Sequence, residues 1–191
     1  IAIYTSIFGG YDNLQEQPLI DGVDYICFTD SKIESSTWKI IPSLPLYKDP
    51  NRNAKKYKIL PHRYLKKYDY SIWIDGNFSI VSDPKILLEK YLNDKNIAFF
   101  NHQNTTLDPR DCIYKEAEAI FTLGQQNFQR TPERGEKNFK DSPNIISKQI
   151  NKYKNEGYPP NNGLIKGGVI LRKHNEPDIT ETMENWWEEI K

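Results

Sequence analysis

The 191-residue sequence lacks the features that mark several common classes of protein. Lysine and arginine total 26, as do aspartate and glutamate, so the formal net charge is zero. General nucleic-acid binders usually carry a basic excess, and we therefore expect no nucleic-acid partner. No apolar run approaches the roughly 20 residues of a membrane-spanning helix, so we expect no transmembrane segment in this chain. Nothing at its start resembles a signal peptide.

Cysteine is scarce, since only Cys27 and Cys112 are present. They form no Cys-x-x-Cys pair, and two cysteines do not make a zinc site on their own. We interpret both as buried free thiols, which favours a reducing compartment. The expected location is therefore the cytoplasm, and peripheral attachment to a membrane stays open as an alternative.

The two commonest nucleotide-binding fingerprints, G-x-G-x-x-G and the P-loop, are also missing. The sequence instead opens with a strand pattern, Ile1–Ile7, that runs into Gly9-Gly10. A strand followed by glycines lets the backbone approach a phosphate or a ring closely. A nucleotidyltransferase would normally carry Arg and Lys in such a loop, and residues 8–11 hold neither, so we rank that activity last.

Strand and helix patterns alternate along the chain, which predicts one α/β domain with a mostly parallel central sheet flanked by helices. The predicted strands are Ile1–Ile7, Val23–Asp30, Trp38–Ile41, Tyr70–Ile74, Ile97–Phe100 and Leu164–Arg172. The predicted helices are Arg52–Lys66, Asp83–Leu92, Cys112–Leu123, Ser142–Gly157 and Ile179–Lys191. Gly124 is expected to end the third helix, and a polar loop or short helix is expected over Gln125–Asp141.

The segment Tyr70–Ile80 is the expected centre of the site. Its apolar strand ends in Asp75-Gly76-Asn77, and the carboxyl ends of strands are where α/β folds bind ligands. Asp75 and Asn77 both offer hard oxygen atoms, which suit Mg²⁺ or Mn²⁺ with a phosphate completing the coordination shell. An ordinary tight turn is the alternative interpretation, because Asp-Gly and Gly-Asn are strong turn formers.

The helix before this strand is basic on one face. At about 100° per residue, Arg52, Lys55 and Lys58 fall within one arc. Such a face is often only solvated surface. Here the helix leads directly into the strand that ends at Asp75, and basic side chains there would suit an anionic diphosphate.

Polar or glycine-rich loops follow three predicted strands, at Thr5–Asp12, at Thr29-Asp30 and at Asp75–Asn77. If these strands lie side by side, their carboxyl ends line one crevice. A nucleotide there would meet an aromatic ring (Phe8 or Tyr11), an acid (Asp12 or Asp30), cations and a metal-binding turn. This combination is the chemistry of a nucleotide-sugar enzyme.

The chain also resembles the DUF616 family of glycosyltransferase-like domains, to which the TOD1 and MUCI70 proteins belong. The segments that carry the resemblance cover most of the chain in order: Tyr4–Asp12, Asp24–Asp30, Asp49–Leu65, Tyr70–Asn77, Arg110–Ala119, Gly167–Asn175 and Asn185–Ile190. The resemblance implies a GT-A type fold and a UDP- or GDP-sugar donor. It sets Asp75-Gly76-Asn77 where such enzymes carry an Asp-x-Asp metal motif, with Asn77 replacing the second acid.

The resemblance implies further roles. His174 matches a position that often supplies a third metal ligand, although a surface histidine is the alternative. Arg110, Asp111 and Glu116 are candidate catalytic residues on the sugar or acceptor side, and His102 precedes them at a strand end. The family continues past the Trp186-Trp187 segment with Arg-Asp-Gln, so we expect the chain to be truncated at its C-terminal end.

The sequence therefore predicts a metal-dependent glycosyltransferase that uses Mn²⁺ or Mg²⁺ and a glycan or small-molecule acceptor, retaining or inverting. The alternative is a non-catalytic nucleotide- or sugar-binding module on the same fold. The predicted nucleotide-sugar-binding residues are Thr5, Phe8, Gly9, Tyr11, Asp12, Asp30, Arg52, Lys55, Lys58, Asp75, Gly76 and Asn77. The predicted metal ligands are Asp75, Asn77 and His174.

Overall fold

A computed structural model describes residues 1–139 and 142–190, without the side chains of residues 136 and 137. Lys140, Asp141 and Lys191 lie outside the described residues, so the predictions for residues 125–141 and 179–191 are tested only in part. The strands are β1 (Ala2–Ile7), β2 (Asp24–Thr29), β3 (Trp38–Pro42), β4 (Ser71–Ile74), β5 (Ile97–Asn101) and β6 (Ile165–Arg172). The α-helices are α1 (Pro50–Ile59), α2 (Pro61–Tyr64), α3 (Pro84–Tyr91), α4 (Ile113–Arg130), α5 (Pro143–Asn155) and α6 (Pro177–Ile190).

The strands form one sheet with the order β3-β2-β1-β4-β6-β5. The neighbouring pairs from β3 to β4 are parallel, whereas β6 runs antiparallel to β4. β5 is antiparallel to β6, because the Lys173 amide bonds to the Asn96 carbonyl at one end and the His102 amide bonds to the Leu164 carbonyl at the other, both at 2.8 Å. The predicted α/β fold with a mostly parallel sheet is confirmed.

Every side chain of β1 is buried, as is every side chain of its neighbour β4. Alternate residues of a strand point to opposite faces of a sheet. Ile3 and Ile7 accordingly pack into one core cluster, and Ala2 and Tyr4 pack into another. A strand covered on both faces reads as the continuous apolar run that the sequence shows.

The helix predicted over Arg52–Lys66 is two helices, α1 and α2. Proline disfavours helical geometry at the residue before it, and Leu60 leaves the helical region at φ −110° and ψ 49° ahead of Pro61. The N-cap of α1 is Asp49, whose side chain accepts a hydrogen bond from the Asn51 amide. The basic residues of α1 therefore belong to a short helix with a defined end.

α4 does not stop at Gly124, as the sequence predicted, but continues to Arg130. A Cβ atom at Gly124 would overlap the ring of Phe139. Glycine is present because a neighbouring side chain needs the space, and the expectation that it ends the helix was wrong.

The chain forms two compact units, and the prediction of one domain stays a prediction. The first unit comprises residues 1–99 and 167–191, and the second comprises residues 100–166. Among the described residues, no helix has the length and apolar character needed to cross a membrane.

Candidate functional site

Asp75 follows the last residue of β4, and its backbone is held on two sides. Its amide donates to the Gly168 carbonyl at 3.0 Å, and its carbonyl accepts from the Phe78 amide at 2.9 Å, which closes a turn. Gly76 in this turn is buried against β1, since a Cβ there would lie 3.0 Å from Ile7 Cδ1. The turn therefore has a fixed backbone and is packed against both neighbouring strands of β4.

The carboxylate of Asp75 is oriented by two donors. Trp73 Nε1 donates to Oδ1 at 2.9 Å, and Lys58 Nζ lies 3.4 Å from the same oxygen. The Lys58 ammonium also lies over the Trp73 ring, 5.1 Å from its centroid. An ammonium beside an oriented carboxylate can bind one oxygen of an anionic ligand while the carboxylate binds a cation.

Gly168 leaves Oδ2 of Asp75 uncovered by a side chain. A Cβ at this position would lie 3.4 Å from Oδ2 and 3.0 Å from Phe78 Cζ. Glycine in a strand often marks such a close approach. Trp73 and Gly168 are functional candidates that the sequence analysis missed. The signals were present: Trp73 stands two residues before Asp75 along an extended chain, and Gly167-Gly168 interrupts a strand.

Asp75 and Asn77 fit a divalent cation only in part. A carboxylate and an exposed amide are oxygen donors of the kind that Mg²⁺ and Mn²⁺ prefer. Within the part of the chain that the structure describes, no group of three or more His, Cys, Asp or Glu side chains could hold a metal ion. A cation here would therefore need ligand oxygens, such as those of a diphosphate, to complete its shell.

The structure does not bring His174 to Asp75. Because β6 is antiparallel to β4, with Arg172 opposite Ser71 and Val169 opposite Ile74, His174 lies beyond the other end of β4. His174 is fully buried, and its Nε2 lies 2.9 Å from the Leu65 carbonyl. Burial lowers its pKa, which favours the neutral form of the ring. This geometry corrects the expectation that His174 shares a metal with Asp75 and Asn77.

The glycine pair after β1 is held by Asp30. Gly9 and Gly10 have φ of +64° and +63°, which glycine adopts readily. The Gly9 amide donates to both carboxylate oxygens of Asp30, at 3.0 and 3.2 Å. A Cβ at Gly9 would lie 2.9 Å from Pro50 Cγ at the start of α1. Asp30 therefore orders the loop, whatever else it binds.

The two aromatic candidates differ in accessibility. Phe8 is 1% exposed and stacks on Tyr57 with a ring-centroid distance of 5.7 Å. Tyr11 is 68% exposed. Thr5 is also completely buried, and its Oγ1 has no hydrogen-bond partner among the residues described. Phe8 and Thr5 are thus core residues, which corrects their assignment as ligand contacts, and Tyr11 is the accessible ring.

The basic residues of α1 are half-buried and engaged. Lys58 pairs with Asp75, and the Arg52 guanidinium lies 5.6 Å from the centroid of the Tyr47 ring. Asp12 lies beside the Asp75 turn, because its Cβ is 3.6 Å from where a Cβ of Gly76 would stand. The structure thus brings Asp12, Lys58 and Asp75 to one end of the sheet.

The candidates of the second unit form a cluster of their own. Arg110 Nε donates to Glu116 Oε2 at 2.6 Å, and Arg110 also pairs with Asp108. Its Nη2 lies 3.5 Å from His102 Nε2. Asp111 instead pairs with Lys115 at 3.4 Å. Arg110 and Glu116 are therefore brought together, and Asp111 has a different partner.

Comparison with known proteins identifies a family to which the chain is similar. A family model described as "TOD1/MUCI70, glycosyltransferase-like domain" matches residues 23–185. The chain is 28% identical over 203 residues to the probable hexosyltransferase MUCI70 of Arabidopsis thaliana, a match that covers 91% of this chain and 32% of that protein. The chain thus spans about a third of the length of that relative.

Similar solved structures include two transferases. The apo form of mouse xyloside xylosyltransferase 1 has a TM-score of 0.43 and 11% identity, and covers 100% of this chain and 74% of that one. The mannosyltransferase Ktr4p from S. cerevisiae has a TM-score of 0.40 and 12% identity, and covers 88% of this chain and 52% of that one. Both TM-scores are below 0.5.

Proposed function

The chain belongs to the TOD1/MUCI70 family of glycosyltransferase-like domains, and on that premise we propose that it is a metal-dependent, GT-A type glycosyltransferase. It would move a sugar from a UDP- or GDP-sugar to a hydroxyl group of a glycan or small-molecule acceptor. The observation that supports this most is the group at the end of β4, where Trp73 and Lys58 both contact Asp75 Oδ1.

The residues around Asp75 suit a nucleotide diphosphate. Asp75 and Asn77 would hold a divalent cation together with diphosphate oxygens. The bound cation would neutralise the charge that develops on the leaving diphosphate. The Lys58 ammonium supplies a second positive charge beside it, and the other two predicted donor-binding cations, Lys55 and Arg52, stand on the same helix. Preorganised charges of this kind commonly provide the largest part of catalysis by transferases of charged leaving groups.

The loop after β1 would bind the nucleoside end of the donor. Gly10, which has open space where a Cβ would stand, allows close approach of the backbone, and the hydrogen bond that the Gly9 amide donates to Asp30 keeps the loop in place. Tyr11 offers an exposed ring on which a base can stack. Asp12 and Asp30 offer carboxylate acceptors for ribose or base hydrogens.

Arg110, Asp111 and Glu116 would act on the acceptor side. In an inverting transfer a general base must take the proton of the acceptor hydroxyl, and the candidate for this role is the Glu116 carboxylate, which accepts a hydrogen bond from Arg110. A retaining transfer does not require such a base. A retained configuration in the product would therefore remove the need for Glu116 in this role.

A thermal-shift titration with UDP and GDP, with and without Mn²⁺, tests the donor site. A ligand that binds only the folded state stabilises it by about 2.7 kcal/mol at 100 times its dissociation constant. We expect a Mn²⁺-dependent rise in melting temperature with one nucleotide. The rise should be lost in Asp75→Ala and kept in Asp94→Ala, which removes an exposed carboxylate of the same unit. Equal shifts in both variants would contradict the assignment of Asp75.

Hydrolysis of a sugar nucleotide in the presence of Mn²⁺ separates a transferase from a binding module. Slow release of free sugar that depends on Asp75 would support transfer chemistry. Nucleotide binding without hydrolysis or transfer would instead favour the non-catalytic module. Absence of nucleotide binding under any metal would leave Asp75-Gly76-Asn77 as a structural turn and would refute the proposed function.

A further inference from the structure

Arg172, at the end of β6, is a buried cation whose partners include no carboxylate within the described part of the chain. Its side chain is completely buried and contacts the Tyr4 hydroxyl, the Lys58 carbonyl at 2.7 Å and Met183 Sδ at 3.3 Å. A buried charge is costly unless its hydrogen bonds repay the lost hydration. The groups that Arg172 binds therefore indicate what it does.

The carbonyl of Lys58 receives two side-chain hydrogen bonds. Arg172 donates at 2.7 Å, and the Tyr4 hydroxyl donates at 3.0 Å. Lys58 stands in the last turn of α1, where backbone carbonyls have no partner within the helix and a cation is favourable. Burial raises the pKa of Tyr4 to about 12, against the opposing influence of Arg172, so the hydroxyl keeps its proton and donates. The end of α1 is thus fixed to the centre of the sheet.

The side chain of the same lysine extends to the candidate donor site. Lys58 Nζ lies 3.4 Å from Asp75 Oδ1 and 5.1 Å from the centroid of the Trp73 ring. The Trp73 ring in turn meets the Tyr4 ring edge-on, with centroids 5.3 Å apart. Contacts from Tyr4 therefore reach both the backbone of Lys58 and the ring beneath its ammonium.

We propose that Tyr4 and Arg172 are positioning residues of the donor site, which hold the Lys58 carbonyl and thereby fix the Lys58 ammonium beside Asp75. The benefit to catalysis rests on the proposed function, because the ammonium would contact the donor diphosphate. A purely structural role, in which the two residues only join α1 to the sheet, predicts loss of stability and no specific effect on Lys58.

The free protein provides the first test, since the Lys58 ε-methylene should show an upfield ring-current shift from Trp73. The signal is assigned in a ¹³C–¹H spectrum by its absence from Lys58→Met. Tyr4→Phe removes one hydrogen bond and should move this signal toward the value of an unrestrained lysine. Tyr25→Phe is the matched control, because the Tyr25 hydroxyl is also buried and donates to a carbonyl, that of Pro18 at 2.8 Å. An unchanged Lys58 signal in folded Tyr4→Phe would overturn the proposal.

The second test is a double-mutant cycle on the dissociation constant of UDP or GDP with Mn²⁺. Tyr4→Phe should weaken binding roughly fivefold, the factor for one ordinary hydrogen bond. In a Lys58→Met background the same change should have no further effect, because positioning acts through Lys58. If Tyr4→Phe weakens binding by the same factor in the Lys58→Met background as in the wild type, the proposal is overturned. If the wild type binds neither nucleotide, the proposed function fails, and the Lys58 signal still decides the positioning role. Tyr4→Phe is used because loss of the buried Arg172 is expected to impair folding.

Discussion

The buried side chain of Trp73 orients the carboxylate of Asp75. Its indole donates to Asp75 Oδ1 at 2.9 Å. Trp73→Phe keeps a ring under Lys58 and removes this donor. A hydrogen bond to a charged group contributes about 1.5–3 kcal/mol, so we expect weaker Mn²⁺-dependent nucleotide binding by about tenfold or more. Isothermal titration of the nucleotide measures the change.

Trp38→Phe is the control for that prediction. The Trp38 indole is equally buried and donates to the Gln15 carbonyl at 2.8 Å, so the same atoms are lost without removing a donor to the Asp75 carboxylate. Trp38→Phe should reduce stability and leave nucleotide binding unchanged. Similar weakening in the two variants would show that the effect comes from general loosening of the fold and not from Asp75.

His174 makes stability depend on pH. Burial lowers its pKa, with Arg172 and His62 adding repulsion, so the unfolded chain binds a proton more readily than the native state. Between the lowered native pKa and the unfolded pKa of about 6.5, stability therefore rises with pH. As the pH drops below about 6.5, this residue lowers the free energy of unfolding by at most about 1.4 kcal/mol per pH unit. His174→Gln should flatten that slope in urea titrations between pH 7 and pH 5. An unchanged slope would contradict this role.

At the residue scale the sequence identified acids that follow strands but could not say which way each neighbouring strand runs. Asp75 and Asp30 were found because a charged residue after an apolar run marks a strand end. His174 looked equivalent, yet it lies at the opposite edge because β6 is antiparallel to β4. Phe8 and Thr5 were misassigned because the burial of a residue near a strand end depends on tertiary packing, such as that of Phe8 on Tyr57 of α1, which a local pattern does not contain.

At the scale of elements, α4 shows a glycine that tertiary packing explains. Gly→Ala in a helix interior ordinarily stabilises by up to about 1 kcal/mol. Gly124→Ala should instead destabilise, because the new Cβ overlaps the Phe139 ring. Urea unfolding of Gly124→Ala, Phe139→Ala and the double variant measures this. The alanine at position 124 should be tolerated once the ring is removed, and a stabilised single variant would contradict the explanation.

Several helix boundaries could be predicted because capping residues and prolines are recognisable in the sequence. Asp83 before Pro84 marks the start of α3, and its side chain accepts from the Lys85 amide as expected of an N-cap. The split between α1 and α2 at Pro61 was missed because the helical pattern of apolar residues continues across the proline. The single-helix interpretation therefore placed the α1 cations in a longer helix than exists.

At the scale of the whole molecule, the two units contain elements that differ in how many side chains are buried. Every side chain of β1 is buried, whereas α5 buries only Ile146 among its residues. Segments with few buried contacts open at lower free energy. Native-state hydrogen exchange should therefore show stronger protection of the β1 amides than of the α5 amides. Equal protection in both would indicate that the chain opens as one cooperative body.

The alternation of patterns was enough to predict the fold class, and the resemblance to the family was enough to predict membership. Neither predicted the division into units, because the boundaries fall inside β5 and β6 and leave no linker-like composition.

That division has a practical consequence. The chain leaves the first unit through β5 and returns through β6, and the His102 amide bonds to the Leu164 carbonyl where these antiparallel strands meet. A short hairpin turn could therefore replace residues 103–163 without stretching the chain. The shortened protein would keep Asp75, Lys58, Asp30 and the glycine pair, and would lose Arg110 and Glu116. If it folds, the proposed function predicts that it binds the nucleotide and transfers no sugar, which would separate recognition of the donor from recognition of the acceptor.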